Sequence, residues 1–449
     1  MPGPVGRDQA RQVAEAALEV PGADGVEVLF LHEWGGLTRF ADSTIHQSTW
    51  REDTGVRVRV ISDGRIGIAA TNDFTKDGAA KAARSALELA QTSAPDPMFA
   101  GLAPPAQVSA EGLYDEATAD MSPEARAEAV ETLIRQGGDG FHAAGAFETT
   151  AMEAAIVNTE GQFAYAPTTQ ATITTVISGG EEGAGFADEA ARSAAEIDPA
   201  DVGSRAFRKA KDSQRPRDLE PGRYEVVLEP SAVTTLAAFL AYMGFGGRML
   251  VEGRSCFSDR IGEKLMADQV TIYDDALAPD TLGLPFDFEG TPKSRVDLVK
   301  GGVILGAVHD RRSAKQAGTE TTGHALPSPN PEGPFPLNLF MEPGDASIEE
   351  MVSEMDRGLL VSRFHYSNIV HPKEAIITGM TRDGTWWVEN GEIAYPVKNF
   401  RFTQSIIDAL RDVVQIGRDT ELASEFFFSA SRVPALRISS FQFTGKSDH

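Results

Sequence analysis

Cysteine is nearly absent from this sequence of 449 residues. The single Cys256 excludes an internal disulfide framework and any metal site made only of cysteine thiolates. The first 20 residues lack the apolar core of a signal peptide because polar and charged residues interrupt them. No window approaches the run of about 20 apolar residues that a membrane-spanning helix needs. We therefore expect a cytoplasmic protein with no membrane partner.

Positive charge is also scarce. The chain carries 41 lysines and arginines against 66 acidic residues, which gives a formal net charge of −25. The imbalance is strongest in residues 101–198, where 17 acidic side chains face 3 basic ones. Such a field repels phosphate backbones and anionic lipid surfaces. We expect no nucleic acid partner, whereas a peptide with basic residues would be attracted.

The hydrophobic pattern predicts an α+β fold. Apolar residues at helical spacing are followed by alternating apolar and polar residues with turn signals between them, which is typical of an antiparallel meander. We predict N-terminal α/β meander modules in two subdomains, and then a β-rich, barrel-like C-terminal domain. The predicted subdomains are residues 1–100 and 101–218, and the C-terminal domain is 221–449. The predicted helices are 8–20, 77–91, 122–136, 200–213 and 405–417, and the first strands are 25–33, 36–52 and 54–72.

The sequence contains no zinc-binding helix of the usual kind. Such a helix needs two histidines four or five residues apart beside a glutamate, so that both imidazoles reach one ion. The helix predicted to begin at Pro230 instead continues as TTLAAFLAYM, residues 234–243, which offers no acid, base or metal ligand. A metal site assembled from distant loops, with His324, His365 or His371 and carboxylates, stays open as an alternative.

Residues 361–393 hold the richest group of polar and aromatic side chains. Arg382-Asp383-Gly384 and Glu389-Asn390-Gly391 each predict a hairpin whose tip can present polar groups. A substrate-facing surface and a meander with solvated charges both fit this segment. The candidate residues of a substrate cleft are His324, Arg363, His365, Tyr366, Arg382 and Asp383.

Several blocks of the chain resemble the TldD/PmbA family. The first is TRFADSTIHQSTWREDTGVRVRVISDGRIGIAATND at residues 38–73, and the second is YEVVLEPSAV at 224–233. Others are TTGHAL at 321–326 and TGMTRDGTWWVENGEIAYPVKNFRFTQSIIDAL at 378–410. Zinc-bearing members of that family, the TldD type, place an H-E-x-x-x-H motif on the helix that follows the V-V-L-x-P strand. Because residues 234–243 stand there instead, the chain resembles the TldE/PmbA type, which lacks the zinc motif.

The resemblance implies a role for the chain within a larger peptidase. It implies a subunit of a heteromeric metallopeptidase that processes or degrades small unfolded peptides. The zinc ion would belong to a TldD-like partner subunit in a heterodimer or larger assembly, and this chain would bind no cofactor and contribute no catalytic residue. A homodimer is the alternative for the chain alone. Two other functions stay open: an independent metal-dependent hydrolase, and a peptide-binding protein without catalysis.

Overall fold

The first half of the chain forms one antiparallel sheet. The structure is a computed structural model that describes residues 3–423 and 430–447. Six strands pair in the order β3-β2-β1-β4-β5-β6. Their bounds are β1 Gly25–Ala41, β2 Thr44–Ser62, β3 Arg65–Thr71, β4 Phe141–Asn158, β5 Phe163–Gly179 and β6 Gly183–Ala191. This single sheet runs through both of the segments that the sequence pattern divides at residue 100.

Two strands are longer than the sequence pattern predicts. β1 continues through Trp34 and Gly35, and β2 through Asp53, where the alternation of apolar and polar residues lapses. The two strands pair over nearly their full length, so the ladder of backbone hydrogen bonds holds these positions extended whatever their side chains. Asp42 and Ser43 both have positive φ and form the tight turn between the strands.

Helices cover one face of this first sheet. They are α1 Arg7–Glu15, α2 Lys76–Thr92, α3 Glu116–Ala119, α4 Pro123–Ile134 and α5 Pro199–Asp212, with a short 3-10 turn at Ala194–Glu196. α1 and α2 pack on Val26, Val28 and Phe30 at one end. Since successive side chains on a strand point to opposite faces, Leu29 and Leu31 lie on the other face, against the C-terminal half.

The C-terminal half contains a ring of strands. Its strands are β7 Arg223–Leu228, β8 Ile272–Asp274, β9 Val296–Lys300, β10 Val303–Ile304, β11 Asn338–Met341, β12 Arg357–His371, β13 Ile376–Glu389, β14 Glu392–Pro396, β15 Phe400–Ser405, β16 Val413–Ala423 and β17 Ala430–Lys446. β7, β12, β13, β15 and β17 pair in that order, and β17 pairs again with β7. This closure confirms the α+β fold with a barrel-like C-terminal domain.

The helices of this half are mostly short. They are α6 Pro230–Gly244, α7 Gly247–Val251, α8 Arg311–Ala317, α9 Ile348–Ser353 and α10 Ile406–Arg411, with a 3-10 turn at Pro372–Glu374. α6 is buried almost all round, and Leu236, Leu240 and Met243 are each at most 1% exposed. It packs on β12 and β17 as part of the large core inside the ring. No helix in the described residues is both long and apolar enough to span a bilayer.

Two predictions for this half are wrong. The helix predicted over residues 405–417 ends at Arg411, and Gly417 lies inside β16, because Val413 and Ile416 pair with Ile438 and Leu436 of β17. A short apolar run fits the periodicity of a helix and that of a strand, and here pairing with β17 makes the run a strand.

The Arg382-Asp383-Gly384 signal does not make a hairpin either. It is a bulge inside β13, where Asp383 and Gly384 both have positive φ. The Glu389-Asn390-Gly391 signal does turn the chain, between β13 and β14.

Candidate functional site

A group of charged side chains lies where the first sheet meets the start of α6. α5 and β6 approach β13 and β16 at this point. We call this group the junction cluster. Its members are Asp188 of β6, Arg205 and Lys209 of α5, Glu229 between β7 and α6, Arg363 of β12, Asp383 of β13 and Glu421 of β16.

Glu229 links the two halves of the chain at the first turn of α6. It is the residue before Pro230, which takes the first helical position because it has no N–H to lose there. Its carboxylate accepts a hydrogen bond from Lys209 Nζ, and Ser362 Oγ donates to the same oxygen at 2.9 Å. The Glu229 and Lys209 side chains are only 14% and 23% exposed. A charge-assisted pair with so little water around it holds α5 against α6.

Arg363 and Asp383 form the most enclosed ion pair of the junction cluster. Their side chains are 19% and 6% exposed. Arg363 Nε donates to Asp383 Oδ2 at 2.7 Å, and Nη2 donates to the same oxygen. The bulge in β13 turns Asp383 toward this partner. The guanidinium also lies 4.0 Å from the centroid of the Phe186 ring on β6, a cation–π contact between the halves.

Asp188 is a buried carboxyl group of the junction cluster. Burial raises its pKa, and the nearby cations Arg205, Lys209 and Arg363 oppose that rise. Ser231 Oγ donates to Asp188 Oδ1 at 3.4 Å, which ties the first turn of α6 to β6. A carboxyl group whose pKa is raised by burial can hold or release a proton near a bound molecule.

The structure brings five of the six sequence candidates close together. Arg363 and Asp383 are paired, and Arg382 Nε lies 3.9 Å from Asp383 Oδ1. His365 follows on β12, and burial, with smaller contributions from Arg363 and Arg382, lowers its pKa. Tyr366 stacks edge-on against His365 and is 76% exposed.

His324 lies apart from these five residues. It is 1% exposed, and its Nε2 is 2.8 Å from Asp274 Oδ1. Its Nδ1 lies 2.9 Å from the hydroxyl of Thr322. His324 therefore belongs to a buried polar group between the ring and the first sheet.

Sequence reasoning missed most of the junction cluster. Asp188, Arg205, Lys209 and Glu421 come from segments far apart in the chain, and their local sequence does not distinguish them from solvated charges. Glu229 had a signal, since a carboxylate between a buried strand and a helix-starting proline lies at a defined structural position. The tertiary structure alone brings the other four to it.

Two family models match the sequence on either side of this junction. The PmbA/TldA metallopeptidase C-terminal domain matches residues 221–445, which is half of the chain, and PmbA/TldA metallopeptidase domain 1 matches residues 26–90. The chain belongs to the PmbA/TldD family.

Individual relatives match along nearly the whole chain. Metalloprotease PmbA of Escherichia coli O157:H7 is 26% identical over 447 residues, which cover 95% of each chain. The crystal structure of TldE from Thermococcus kodakarensis matches with a TM-score of 0.89 at 20% identity, over 97% of this chain and all of that one. A crystal structure from Thermotoga maritima MSB8 matches with a TM-score of 0.87 over the same shares. The structural matches show a shared fold.

Membership of a metallopeptidase family raises the question of a metal ion at the start of α6. The side chains of residues 234–243 are those of Thr, Leu, Ala, Phe, Tyr and Met, and Thr234 Oγ1 already donates to the backbone oxygen of Pro230 at 3.0 Å. In the part of the chain that the structure describes, no three His, Cys, Asp or Glu side chains are grouped to hold a metal ion. The residues along α6 therefore do not fit zinc.

The lone cysteine adds no reactive group to this region. Cys256 is free and 2% exposed, and burial raises the pKa of its thiol to about 12. A thiol with such a pKa is almost fully protonated near neutral pH and is a poor nucleophile. Cys256 is therefore a buried structural thiol.

The junction cluster borders a cleft large enough for part of a peptide. The cleft has a volume of about 900 Å³. Its walls include the charged residues Lys209, Glu229 and Glu421 and the aromatic residues Trp386 and Tyr395. Paired charges beside aromatic side chains can bind and orient an extended polar chain, although they supply no strong nucleophile.

Proposed function

We propose that this chain is the TldE/PmbA-like subunit of a PmbA/TldD-family metallopeptidase complex that processes or degrades small unfolded peptides. In this proposal a TldD-like subunit, in a heterodimer or larger assembly, holds the zinc ion. The chain described here binds no metal and completes the chamber in which the peptide lies.

The side chains of α6 are the observation that carries this proposal. The helix after β7 is packed into the core on nearly every side, and its residues 234–243 lack groups that could bind a metal ion. Relatives of the chain are named metalloproteases, and a TldE structure shares its fold. In this proposal the helix serves as core, and another chain supplies the hydrolytic centre.

The junction cleft supplies the part of the chamber that this chain would contribute. The carboxylate of Glu421, whose side chain is 44% exposed, and the half-buried ring of Tyr395 suit a peptide with basic or neutral side chains. Arg382, His365 and Tyr366 lie beside the same junction and are partly open to solvent. We propose them as peptide contacts, with Arg363 and Asp383 holding the surface in place.

The test compares the chain alone with the chain mixed with a TldD-type subunit that carries H-E-x-x-x-H. Zinc is measured by elemental analysis, assembly by light scattering, and cleavage with an unstructured fluorogenic peptide. We expect no stoichiometric zinc and no cleavage for the chain alone, and a zinc-dependent cleaving assembly for the mixture. One tightly held zinc per chain with cleavage by the chain alone would instead establish an independent hydrolase.

A pair of matched variants tests the proposed peptide surface. Tyr366→Ala removes a ring that is 76% exposed beside the junction, and Leu89→Ala removes a side chain that is 49% exposed on α2. We expect Tyr366→Ala to raise the KM of the assembly for the peptide, and Leu89→Ala to leave it unchanged. Peptide binding without cleavage in any mixture would contradict the subunit role and favour a binding protein.

A further inference from the structure

A second pocket lies on the far side of the first sheet, away from α5 and the junction cluster. It has a volume of about 400 Å³ and is formed between β1 to β4 and the loops of the C-terminal half near residues 282–293 and 325–338. Its walls are mainly apolar. They include Leu29, Leu31, Leu284, Phe286, Phe288 and Leu337.

Two polar atoms in the wall of this pocket, Lys293 Nζ and Asn338 Oδ1, have no hydrogen-bond partner among the described residues. Lys293 is 6% exposed, and within residues 3–423 and 430–447 its ammonium makes no hydrogen bond and has no carboxylate at salt-bridge distance. Asn338 is 1% exposed, and its Oδ1 receives no hydrogen bond from the described residues. Buried polar groups without partners are rare in folded proteins because each one costs free energy.

Two acidic side chains already lie near Lys293. Burial lowers the pKa of the Lys293 ammonium, and Asp274 and Asp287 oppose that fall. Asp274 is bonded to His324 and to the backbone N–H of Asn338, while Asp287 accepts backbone N–H groups of residues 289, 291 and 325. A ligand carboxylate at Lys293 would add a negative charge beside these two acidic groups. The ammonium lacks a neutral hydrogen-bond acceptor.

The charged groups at the mouth of the pocket are also occupied. Arg51 donates to Glu33 at 2.5 Å, and Arg57 donates to the backbone oxygen of Ser328 at 2.8 Å. Asp53 accepts from the side chain of Asn72 at 3.1 Å. Among the buried polar atoms that line this pocket in the described residues, Lys293 Nζ and Asn338 Oδ1 are left without a hydrogen-bond partner, and both lie in an apolar wall.

We propose that this pocket binds an apolar residue of a peptide through its side chain and its amide groups. The side chain packs against the leucines and phenylalanines, a backbone carbonyl accepts a hydrogen bond from Lys293 Nζ, and a backbone N–H donates to Asn338 Oδ1. An amide chain offers both an acceptor and a donor without charge, whereas an ionised carboxylate offers only charged acceptors and a hydrocarbon offers neither. This site extends the proposed peptide role but needs no partner subunit.

The experiment uses the full chain alone and measures binding by saturation-transfer NMR titration. The probes are N-acetyl-leucine-N-methylamide, which carries neutral amides on both sides of an apolar side chain, and N-acetyl-leucine, which ends in a carboxylate. We expect the amide to bind at least about tenfold more tightly than the acid, since one charge repulsion or one charged hydrogen bond is worth that factor. Equal or tighter binding of the acid would overturn the proposal, as would no binding of the amide.

Three variants locate the binding to this pocket. Leu284→Trp fills it from a partly exposed loop and should abolish binding, and Lys293→Met should weaken binding at least about tenfold. Lys300→Met, on the exposed side of β9, is the matched control and should bind like the wild type. If Lys293→Met does not fold, Leu284→Trp alone tests whether the amide probe binds in this pocket. Binding by Leu284→Trp as tight as that of the wild type would refute the proposed site. Because neither zinc nor cleavage is measured, failure here is distinct from failure of the subunit role.

Discussion

Replacement of Arg363 by methionine tests whether the junction cluster holds the two halves of the chain together. Arg363→Met keeps an unbranched side chain that can pack but removes the guanidinium. The variant loses both hydrogen bonds to Asp383 and the cation–π contact with Phe186. Asp383, only 6% exposed, is left as a buried carboxylate without its main partner.

The size of the effect follows from that burial. Removing one partner of a buried ion pair costs about 3–5 kcal/mol of unfolding free energy, mostly because the other charge stays buried. Arg382, with its Nε 3.9 Å from Asp383 and its side chain 38% exposed, compensates in part. We therefore expect a loss of about 3 kcal/mol for Arg363→Met. Arg363→Met combined with Asp383→Asn leaves no uncompensated charge and should lose at least about 1 kcal/mol less than the single variant.

The assay is urea-induced unfolding followed by tryptophan fluorescence, with Arg382→Met as control. Arg382→Met removes a more exposed cation at a longer distance and should cost less than about 1 kcal/mol. A loss below about 1 kcal/mol for Arg363→Met would refute the structural role, as would a double variant that is no more stable than the single one. A change in peptide cleavage without a change in stability would instead assign Arg363 to the substrate.

Two further predictions concern the core and the buried carboxyls. Leu240→Ala on α6 should lower the unfolding free energy by about 2–5 kcal/mol because Leu240 is fully buried. Tyr242→Ala removes a side chain that is 40% exposed and should lower it less. Equal losses of unfolding free energy in urea denaturation would contradict the packing of α6. Burial raises the pKa of both Glu27 and Asp287 to about 7, so the folded chain keeps protons that the unfolded chain has released by then. The unfolding free energy should therefore fall between pH 5 and pH 8, and the Glu27→Gln variant should show a shallower fall. A rise for the wild type over that interval would show that these carboxyls do not govern the pH dependence of stability.

Much of the secondary structure could be predicted from the sequence because local physics governs it. Ser122 caps α4 with Pro123 directly after it, and the structure shows this start. The helices at Lys76–Thr92 and Pro199–Asp212 also lie where apolar spacing predicts them. Such signals need only neighbours three or four residues away.

The errors lie where distant partners override the local pattern. Residues 413–417 have an apolar pattern that fits either period, and pairing with β17 makes them a strand. Asp383 and Gly384 look like a hairpin turn, yet both flanking segments pair in register with β12 and leave the pair as a bulge. In each case the flanking residues pair with residues 19 to 25 positions away.

The positions of the candidate site residues also depend on partners that are distant in the chain. The sequence makes both His324 and His365 candidate cleft residues. The fold, however, places His324 in the interior beside Asp274 and away from Arg363. Asp188 and Lys209 give no sequence signal, yet they lie against Arg363 and Glu229 because β6 and α5 meet the ring there.

The sequence alone determined that the helix after β7 carries no metal-binding side chain, because the identity of ten consecutive residues needs no coordinates. It also determined the family and the mixed α+β class, since both rest on motifs and periodicities read along the chain. Only the tertiary structure decided which charges meet at the start of α6 and that Lys293 and Asn338 share an apolar pocket. These groups are far apart in the chain, and the packing of one sheet against the other half of the molecule brings them together.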